Sequence, residues 1–390
     1  MADGVVTPAF RARVLPTCSA LLITLGSMAA VRADVLPRLP ALALERASLT
    51  VSGLSSGGYM AGQFEVAYSS SVAGAAVLAG GPYGCARGSL SNAMLKCSCP
   101  AEKHFMLSLS QVFGGGCQSF NPGVYFAFSK LAIEGNRAAI DAVSHLKDHR
   151  IWLLSGGKDE VVDRDLVDAT EAFYRHLQVP DARIRREHIA GAGHGFPTLQ
   201  ATEACSSTRT PFLTRCNFDA AGELIKWLYP DVAGLQAGSV ATASFKQFKQ
   251  TRYAGGGEFD GMDSTGWLYV PKACEQAGAQ CRLHVVFHGC EQGQSYVVDG
   301  KAFDTKFVKG AGYNRWAEAG RIVVLYPQVR PSSEGSFTQP YRFNPKGCWD
   351  FWGYTDKDAD LYPTAPNYAK RSAPQMKAVK AMIDDLVRSP

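Results

Sequence analysis

The 390-residue chain predicts an α/β fold built on one central, mostly parallel sheet. Three observations carry that expectation. Short, continuously apolar runs recur between helical stretches, the pattern of strands buried on both faces. One β-prone run leads through Gly53-Leu54-Ser55-Ser56-Gly57 straight into a helical stretch. The composition, 46% hydrophobic and 19% charged, is that of a globular chain with ample apolar material for a core.

An export segment precedes the fold. Arg11 and Arg13 supply positive charge, Val14 to Val31 is largely apolar, and Val31-Arg32-Ala33 has the small-x-small form of a cleavage site. The Leu21-Leu22-Ile23-Thr24-Leu25 core is too short to span a bilayer comfortably, so residues 1–33 read as a removable signal rather than an anchor. Residues 34–390 are then expected to form a single domain, secreted or periplasmic, with no membrane contact after removal. No later stretch approaches the ~20 apolar residues of a spanning helix. The formal net charge of +5 falls slightly when Arg11, Arg13 and Arg32 leave with Asp3. The excess is spread out with no Lys/Arg run, which argues against nucleic acid as a partner. Nothing in the pattern asks for a second copy, and a monomer is expected.

Cysteine usage agrees with export. Of 11 cysteines, Cys18 lies in the signal, leaving an even set: Cys85, Cys97, Cys99, Cys117, Cys205, Cys216, Cys274, Cys281, Cys290 and Cys348. An even set in an exported chain reads as disulfides. Zinc is the competing reading because Cys97-Ser98-Cys99 is close-spaced, but no Cys-x-x-Cys pair or His-x-x-x-His companion supports it. Asp356-Lys357-Asp358-Ala359-Asp360 has the look of a calcium loop, yet lacks the glycine at the sixth position and the closing glutamate, so it reads as a solvated acidic turn. No metal site is expected.

In chain order, Leu49-Thr50-Val51-Ser52 is a strand entering the Gly53 turn, and Tyr59 to Ala67 reads as a helix. Gly74 to Ala79, Ile151 to Leu154, Leu283 to Phe287 and Ile322 to Tyr326 are the further buried strands. Residues 82–150 form an insertion holding four cysteines, too long for an ordinary connection and read as a disulfide-tied cap. Residues 230–260, with scattered Gly and Ala, are the one soft boundary. The C-terminal Ala373 to Val387 stretch spaces Met376, Val379, Met382, Ile383 and Leu386 as an amphipathic helix.

Gly53-Leu54-Ser55-Ser56-Gly57 matches Gly-x-Ser-x-Gly, a strained strand-to-helix turn that exposes a serine hydroxyl. Ser55 is therefore the expected nucleophile, and only residues without a side chain let the flanking backbones pass so closely. A base is needed. His194, between glycines in Gly193-His194-Gly195-Phe196-Pro197, reads as a loop histidine free to reach Ser55. His104, His145, His149 and His176 read as surface groups, and His188 and His284 as strand residues. The acid should lie between serine and base in the chain. Asp159, just beyond the Ile151 strand, fits; Glu160, Asp163 and Asp165 are rivals that read as solvated charge. Oxyanion stabilisation needs two backbone N–H groups. One is expected from Ser56, and the candidate strand for the other is Leu283-His284-Val285-Val286-Phe287-His288-Gly289-Cys290. That strand normally precedes the nucleophile, whereas here it follows the base. Joining the C-terminus to the mature N-terminus restores the usual order, so the fold is expected to be a circularly permuted α/β-hydrolase with a cap insertion.

Together, Val51-Ser52-Gly53-Leu54-Ser55-Ser56-Gly57-Gly58-Tyr59-Met60-Ala61, Gly156-Gly157-Lys158-Asp159, Gly193-His194-Gly195-Phe196-Pro197, Phe287-His288-Gly289-Cys290 and Gly347-Cys348-Trp349-Asp350-Phe351-Trp352-Gly353-Tyr354 resemble the circularly permuted poly(3-hydroxybutyrate) depolymerases, secreted polyester esterases that include a single-domain fungal type. The resemblance covers nearly all of the mature chain. It implies a Ser55, Asp159, His194 triad, an oxyanion hole from the Ser56 and Cys290 N–H groups, and a substrate cleft lined by the Trp352 region. Trp349, Phe351, Trp352 and Tyr354 are also large apolar groups suited to a polyester surface, with core packing the competing reading for Trp349 and Phe351. The loops around Phe196 and Tyr354 are read as further substrate-holding segments. Many extracellular family members add a linker and a polymer-binding domain, whereas this chain ends with the permuted core; amorphous polymer, native granules or soluble oligomers are thus expected over crystalline polymer. The expected reaction is ester hydrolysis of poly(3-hydroxybutyrate) or its oligomers through an acyl-enzyme, with no cofactor. A feruloyl or acetylxylan esterase and a non-catalytic polymer- or granule-binding protein are the alternatives. Cys274 with Cys281 and Cys205 with Cys216 flank short loops and are expected to bridge within each. Cys290 with Cys348 would tie the oxyanion loop to the Trp352 segment, leaving four cysteines for the cap.

Overall fold

Runs such as Ile322-Val323-Val324-Leu325-Tyr326 have no polar face to turn to water, so they pair in the middle of a sheet covered on both sides. The computed structural model describes residues 36–42, 44–98, 122–241, 244–253, 259–276, 278–357 and 366–388. The signal segment, Cys99, Cys117, His104 and Asp358–Asp360 lie outside the described residues. In chain order the strands are β1 (Thr50–Leu54), β2 (Gly74–Leu78), β3 (Arg150–Gly156), β4 (Ile184–Ile189), β5 (Phe196–Pro197), β6 (Glu203–Ala204), β7 (Leu213–Arg215), β8 (Phe245–Lys249), β9 (Thr265–Tyr269), β10 (Arg282–Phe287), β11 (Val297–Val298), β12 (Lys301–Ala302), β13 (Ile322–Tyr326), β14 (Ser332–Ser333) and β15 (Phe343–Asn344). Among the described residues, eight of them form one sheet in the order β4-β3-β2-β1-β10-β13-β9-β8. Pairing is parallel from β4 to β13 and antiparallel for β9 and β8.

β1, β2 and β13 are buried at every position. The helices named here are α1 (Ser56–Ala67), α2 (Leu90–Leu95), α3 (Pro122–Asn136), α4 (Arg164–His176), α5 (Ala220–Leu228), α6 (Lys306–Gly310), α7 (Tyr313–Gly320) and α8 (Pro374–Leu386). α1 is buried on all sides, its polar Gln63 and Glu65 being met by buried partners. Asp163 caps α4 by accepting from the Asp165 N–H, and Asp219 caps α5 through the Gly222 N–H. α8 starts with Pro374 in its first turn and buries Met376, Val379, Met382, Ile383 and Leu386.

Three strands escape the apolar-run criterion. β4 and β8 are the sheet's two edges and carry Arg, Glu, Lys and Gln on half-exposed faces; β9 is antiparallel. β8 falls inside residues 230–260, which are therefore not only a boundary but partly sheet. A second correction concerns His149. It is buried, its Nδ1 2.9 Å from Glu65 Oε1 and its Nε2 3.0 Å from the Ser69 carbonyl, because the buried Glu65 carboxylate behind α1 needs a partner. Tyr174 of α4 donates to the other Glu65 oxygen.

His284 lies on β10 beneath the sheet, 2.7 Å from Thr50 Oγ1 through Nδ1 and 2.8 Å from Ser52 Oγ through Nε2. Burial pushes its pKa from 6.5 down to about 3, so it is neutral. Between β2 and β3, Cys85–Cys97 closes the turn that carries α2, and Asn136 Nδ2 at the end of α3 donates to Tyr83 Oη at 2.9 Å and to the Pro366 carbonyl at 3.2 Å. The start and end of the described chain meet: the Leu42 N–H donates to the Leu386 carbonyl at 2.9 Å, and Arg46 to that of Val387 at 3.1 Å. Among the described residues no helix is long and apolar enough to cross a membrane.

Candidate active site

Parallel register decides which loops meet. Gly53 pairs with Phe287, Leu54 with Leu78, and Leu78 with Leu154. The segments leaving β1, β10 and β3 therefore emerge at one sheet edge, with the loop beyond β4 beside them. Ser55 has φ 57° and ψ −125°, a left-handed conformation forced by the turn from β1 into α1. The turn requires its glycines. A Cβ on Gly53 would lie 2.2 Å from the Gly57 carbonyl oxygen, and one on Gly57 would lie 2.2 Å from the Phe287 and 2.5 Å from the His288 carbonyl oxygens.

Asp159 and His194 come together. Asp159 Oδ1 accepts from the Val161 and Val162 N–H groups, each at 2.9 Å, which frees Oδ2 to meet His194 Nδ1 at 2.8 Å. Their side chains are 2% and 6% exposed, so water hardly competes for this bond. With the Nδ1 proton directed to a carboxylate, Nε2 carries the lone pair. Two loops are fused to hold the pair: the Gly157 N–H donates to the Ile189 carbonyl, and that of Lys158 to Ala192. The Cys205–Cys216 disulfide closes a buttress behind His194. From it the Cys205 carbonyl accepts from the Gly193 N–H and Thr208 Oγ1 accepts from the His194 N–H, both at 2.9 Å. Among the described residues Ser55 Oγ and His194 Nε2 make no hydrogen bond; such contacts tighten when substrate binds. Glu160 and Asp165 are exposed, and Asp163 is spent on capping α4.

The loop after β10 lies against the serine: a Cβ on Gly289 would stand 3.5 Å from Ser55 Cβ. His288 is fully buried. Its Nδ1 donates to the Gly289 carbonyl at 2.8 Å and its Nε2 accepts from the Val329 N–H at 3.3 Å, a pattern only the neutral ring satisfies. Burial holds its pKa down to about 4. The Gly289 carbonyl and Cys290 N–H share one planar trans peptide and point opposite ways, so His288 also aims that N–H. Neither the Ser56 nor the Cys290 N–H has an acceptor among the described residues. Cys290 is bonded to Cys348, which ties this loop to the aromatic segment; Cys274–Cys281 is the remaining bridge among the described residues.

The aromatic segment is organised by a residue whose role the sequence did not disclose. Buried Asp350 accepts from the Trp352, Gly353 and Tyr354 N–H groups on Oδ1, and from the Thr355 N–H and hydroxyl on Oδ2. Burial raises its pKa. Trp349 and Phe351 are core, the latter stacked on Tyr59 at 4.3 Å. The rings of Phe196 and Tyr354, expected beside the substrate, lie in the core. Both are fully buried: Phe196 packs between Phe307 and Tyr313, and the Tyr354 hydroxyl donates to the Cys348 carbonyl. Trp352 is 5% exposed, and its indole N–H has no partner among the described residues. No group of three or more His, Cys, Asp or Glu among the described residues is arranged for a metal ion.

A serine at a strained strand-to-helix turn, with a carboxylate–imidazole pair and a glycine loop at the same edge of a parallel sheet, is the arrangement of an α/β-type carboxylic ester hydrolase. The comparisons narrow the class. The chain is 36% identical over 350 residues to the poly(3-hydroxybutyrate) depolymerase of Delftia acidovorans, covering 89% of this chain and 61% of that protein. It is 32% identical to the polyhydroxybutyrate depolymerase of Talaromyces funiculosus, covering 87% of this chain and 91% of that one. A solved PHB depolymerase, a serine-to-alanine variant complexed with an R3HB trimer, superposes with a TM-score of 0.71 at 30% identity, covering 90% of this chain and 99% of the other. No family model matches the chain. The chain belongs to the poly(3-hydroxybutyrate) depolymerase family. It spans about three-fifths of the length of the Delftia relative. These relatives favour neither of the alternative functions set out from the sequence.

Proposed function

We propose that this chain hydrolyses ester bonds of poly(3-hydroxybutyrate) or its oligomers through an acyl-enzyme on Ser55. The observation that carries the reading is the dry Asp159–His194 hydrogen bond at the same sheet edge as the left-handed Ser55. His194 Nε2 takes the Ser55 proton as Oγ attacks the ester carbonyl, and the oxyanion is met by the Ser56 and Cys290 N–H groups. Collapse expels the alkoxide, which receives the proton from Nε2; water, deprotonated in turn by His194, releases the hydroxyacid. Cys290 contributes only its backbone, since its sulfur is in a disulfide. The Trp352 ring is assigned to the cleft wall, a role supported by its place on the segment bonded to the oxyanion loop.

The permuted connectivity belongs to the same proposal. Support comes from the sheet order, in which β10 lies beside β1 and β13 beside β10, and from the hydrogen bonds joining Leu42 to Leu386 and Arg46 to Val387. The disulfides support an exported protein, secreted or periplasmic. Ser55→Ala should abolish release of hydroxybutyrate monomer or dimer from amorphous polymer and abolish fluorophosphonate labelling, with the unfolding midpoint retained. Turnover by the Ser55→Ala variant refutes the assignment.

A further inference from the structure

Two pieces of machinery must keep a fixed spacing for this chemistry, the oxyanion loop after β10 and the loop that carries the base, and they lie far apart in sequence. One buried side chain spans them. Gln292 is 1% exposed. Its Oε1 accepts from the Gly289 N–H at 2.8 Å, while its Nε2 donates to the Pro211 carbonyl at 3.0 Å and to the Phe212 carbonyl at 3.3 Å. Phe212 belongs to the buttress of the base: its ring meets the His194 ring edge-on at 6.0 Å between centroids, and its carbonyl also accepts from the Phe196 N–H. Gly289 is the residue whose carbonyl His288 holds, so both polar groups of Gly289 are bonded by buried side chains. We infer that Gln292 is a positioning residue that sets the spacing between the oxyanion hole and the general base.

The inference rests on the proposed Ser55 mechanism. A planar amide suits the task because one end accepts and the other donates, matching an N–H on one loop and two carbonyls on the other. A Cβ on Gly289 would lie 2.9 Å from Gln292 Oε1, so the amide also packs directly on the glycine it orients. No carboxylate or ammonium could satisfy both loops at once.

The test compares Gln292→Ala and Gln292→Glu with Gln294→Ala, each measured for kcat and KM on a soluble hydroxybutyrate oligomer and for thermal unfolding. Gln294 is a fair control. It lies two residues on, and its amide bonds Trp267 and Thr265 on β9, away from Gly289 and Phe212. Gln292→Ala should lower kcat about 10- to 100-fold with KM within about threefold, since displaced oxyanion donors act on the transition state. Gln292→Glu keeps the Gly289 acceptor but sets a second buried oxygen against the Pro211 and Phe212 carbonyls, so its kcat should fall at least as far as that of Gln292→Ala. Gln294→Ala should lower the unfolding temperature with kcat within about twofold of wild type. Either Gln292 variant with kcat within about twofold of wild type, while Ser55→Ala is inactive, overturns the inference alone. Equal kcat losses in Gln292→Ala and Gln294→Ala overturn it too, whereas an active Ser55→Ala removes the mechanism beneath it.

Discussion

Gly57→Ala and Gly62→Ala make the same chemical change in one helix and should move stability in opposite directions. At Gly62 the added Cβ would stand 3.7 Å from Tyr174 Oη and 3.8 Å from Val77 Cγ2, ordinary contact. Replacing an interior helical glycine there should stabilise by about 0.8–1 kcal/mol. At Gly57 the same atom would lie 2.2 Å from the Phe287 and 2.5 Å from the His288 carbonyl oxygens, against roughly 3.3 Å for a normal carbon–oxygen contact. β10 cannot simply retreat, because it is paired on one side with β1 and on the other with β13. Either α1 or the strand end must shift by about 1 Å, at a cost of about 1–3 kcal/mol typical of overpacking. A shift of that size between nucleophile and oxyanion loop should also cost about 100-fold in kcat. Urea unfolding midpoints at constant slope report the stability change, and a soluble chromogenic ester reports kcat. Gly57→Ala with an unchanged midpoint and kcat within about twofold of wild type would refute the close-approach argument. So would Gly62→Ala destabilising by as much as Gly57→Ala.

Asp159→Asn keeps an acceptor for Val161 and Val162 but no longer fixes the His194 tautomer; kcat should fall about 10⁴-fold with the midpoint little changed, and a loss below about tenfold would contradict the assigned acid. His284 and His288 make stability acid-sensitive. Both have pKa values depressed from 6.5, to about 3 and about 4, so between those values and 6.5 the unfolded chain binds more protons than the folded one. Their contribution is complete above about pH 6.5 and is lost as pH falls, by about 2 kcal/mol for each at pH 5. Urea midpoints at pH 8 and pH 5 measure it, and His284→Asn should reduce the difference by roughly half; an unchanged difference would show that His284 does not titrate on unfolding.

Much of this molecule was legible residue by residue. The buried strands announced themselves because a strand covered on both faces favours apolar side chains along its length, as in β2 and β13. The edge strands β4 and β8 did not, since one-sided burial admits Arg185, Arg186, Lys246 and Gln247 and blurs the signal. His149 misled for a related reason. Polar flanks suggested the surface, but its partner Glu65 is a carboxylate buried in a helix far earlier in the chain. Gln292 left no trace in sequence, because its meaning lies in two backbone segments that only folding brings to its ends.

The sequence by itself determined the local chemistry. A Gly-x-Ser-x-Gly turn between strand and helix, a histidine between glycines and an aspartate past a buried strand are short-range patterns, set by backbone conformations that few residues can adopt. Tertiary structure decided everything that depends on distance: that Asp159 rather than its acidic neighbours meets His194, that Phe196 and Tyr354 face the core while Trp352 keeps a small exposed surface, and that Gln292 spans two loops far apart in the chain. The physical reason is register. Parallel pairing of β1 with β10 and β2 brings loops more than two hundred residues apart to one edge, and no local pattern encodes that alignment.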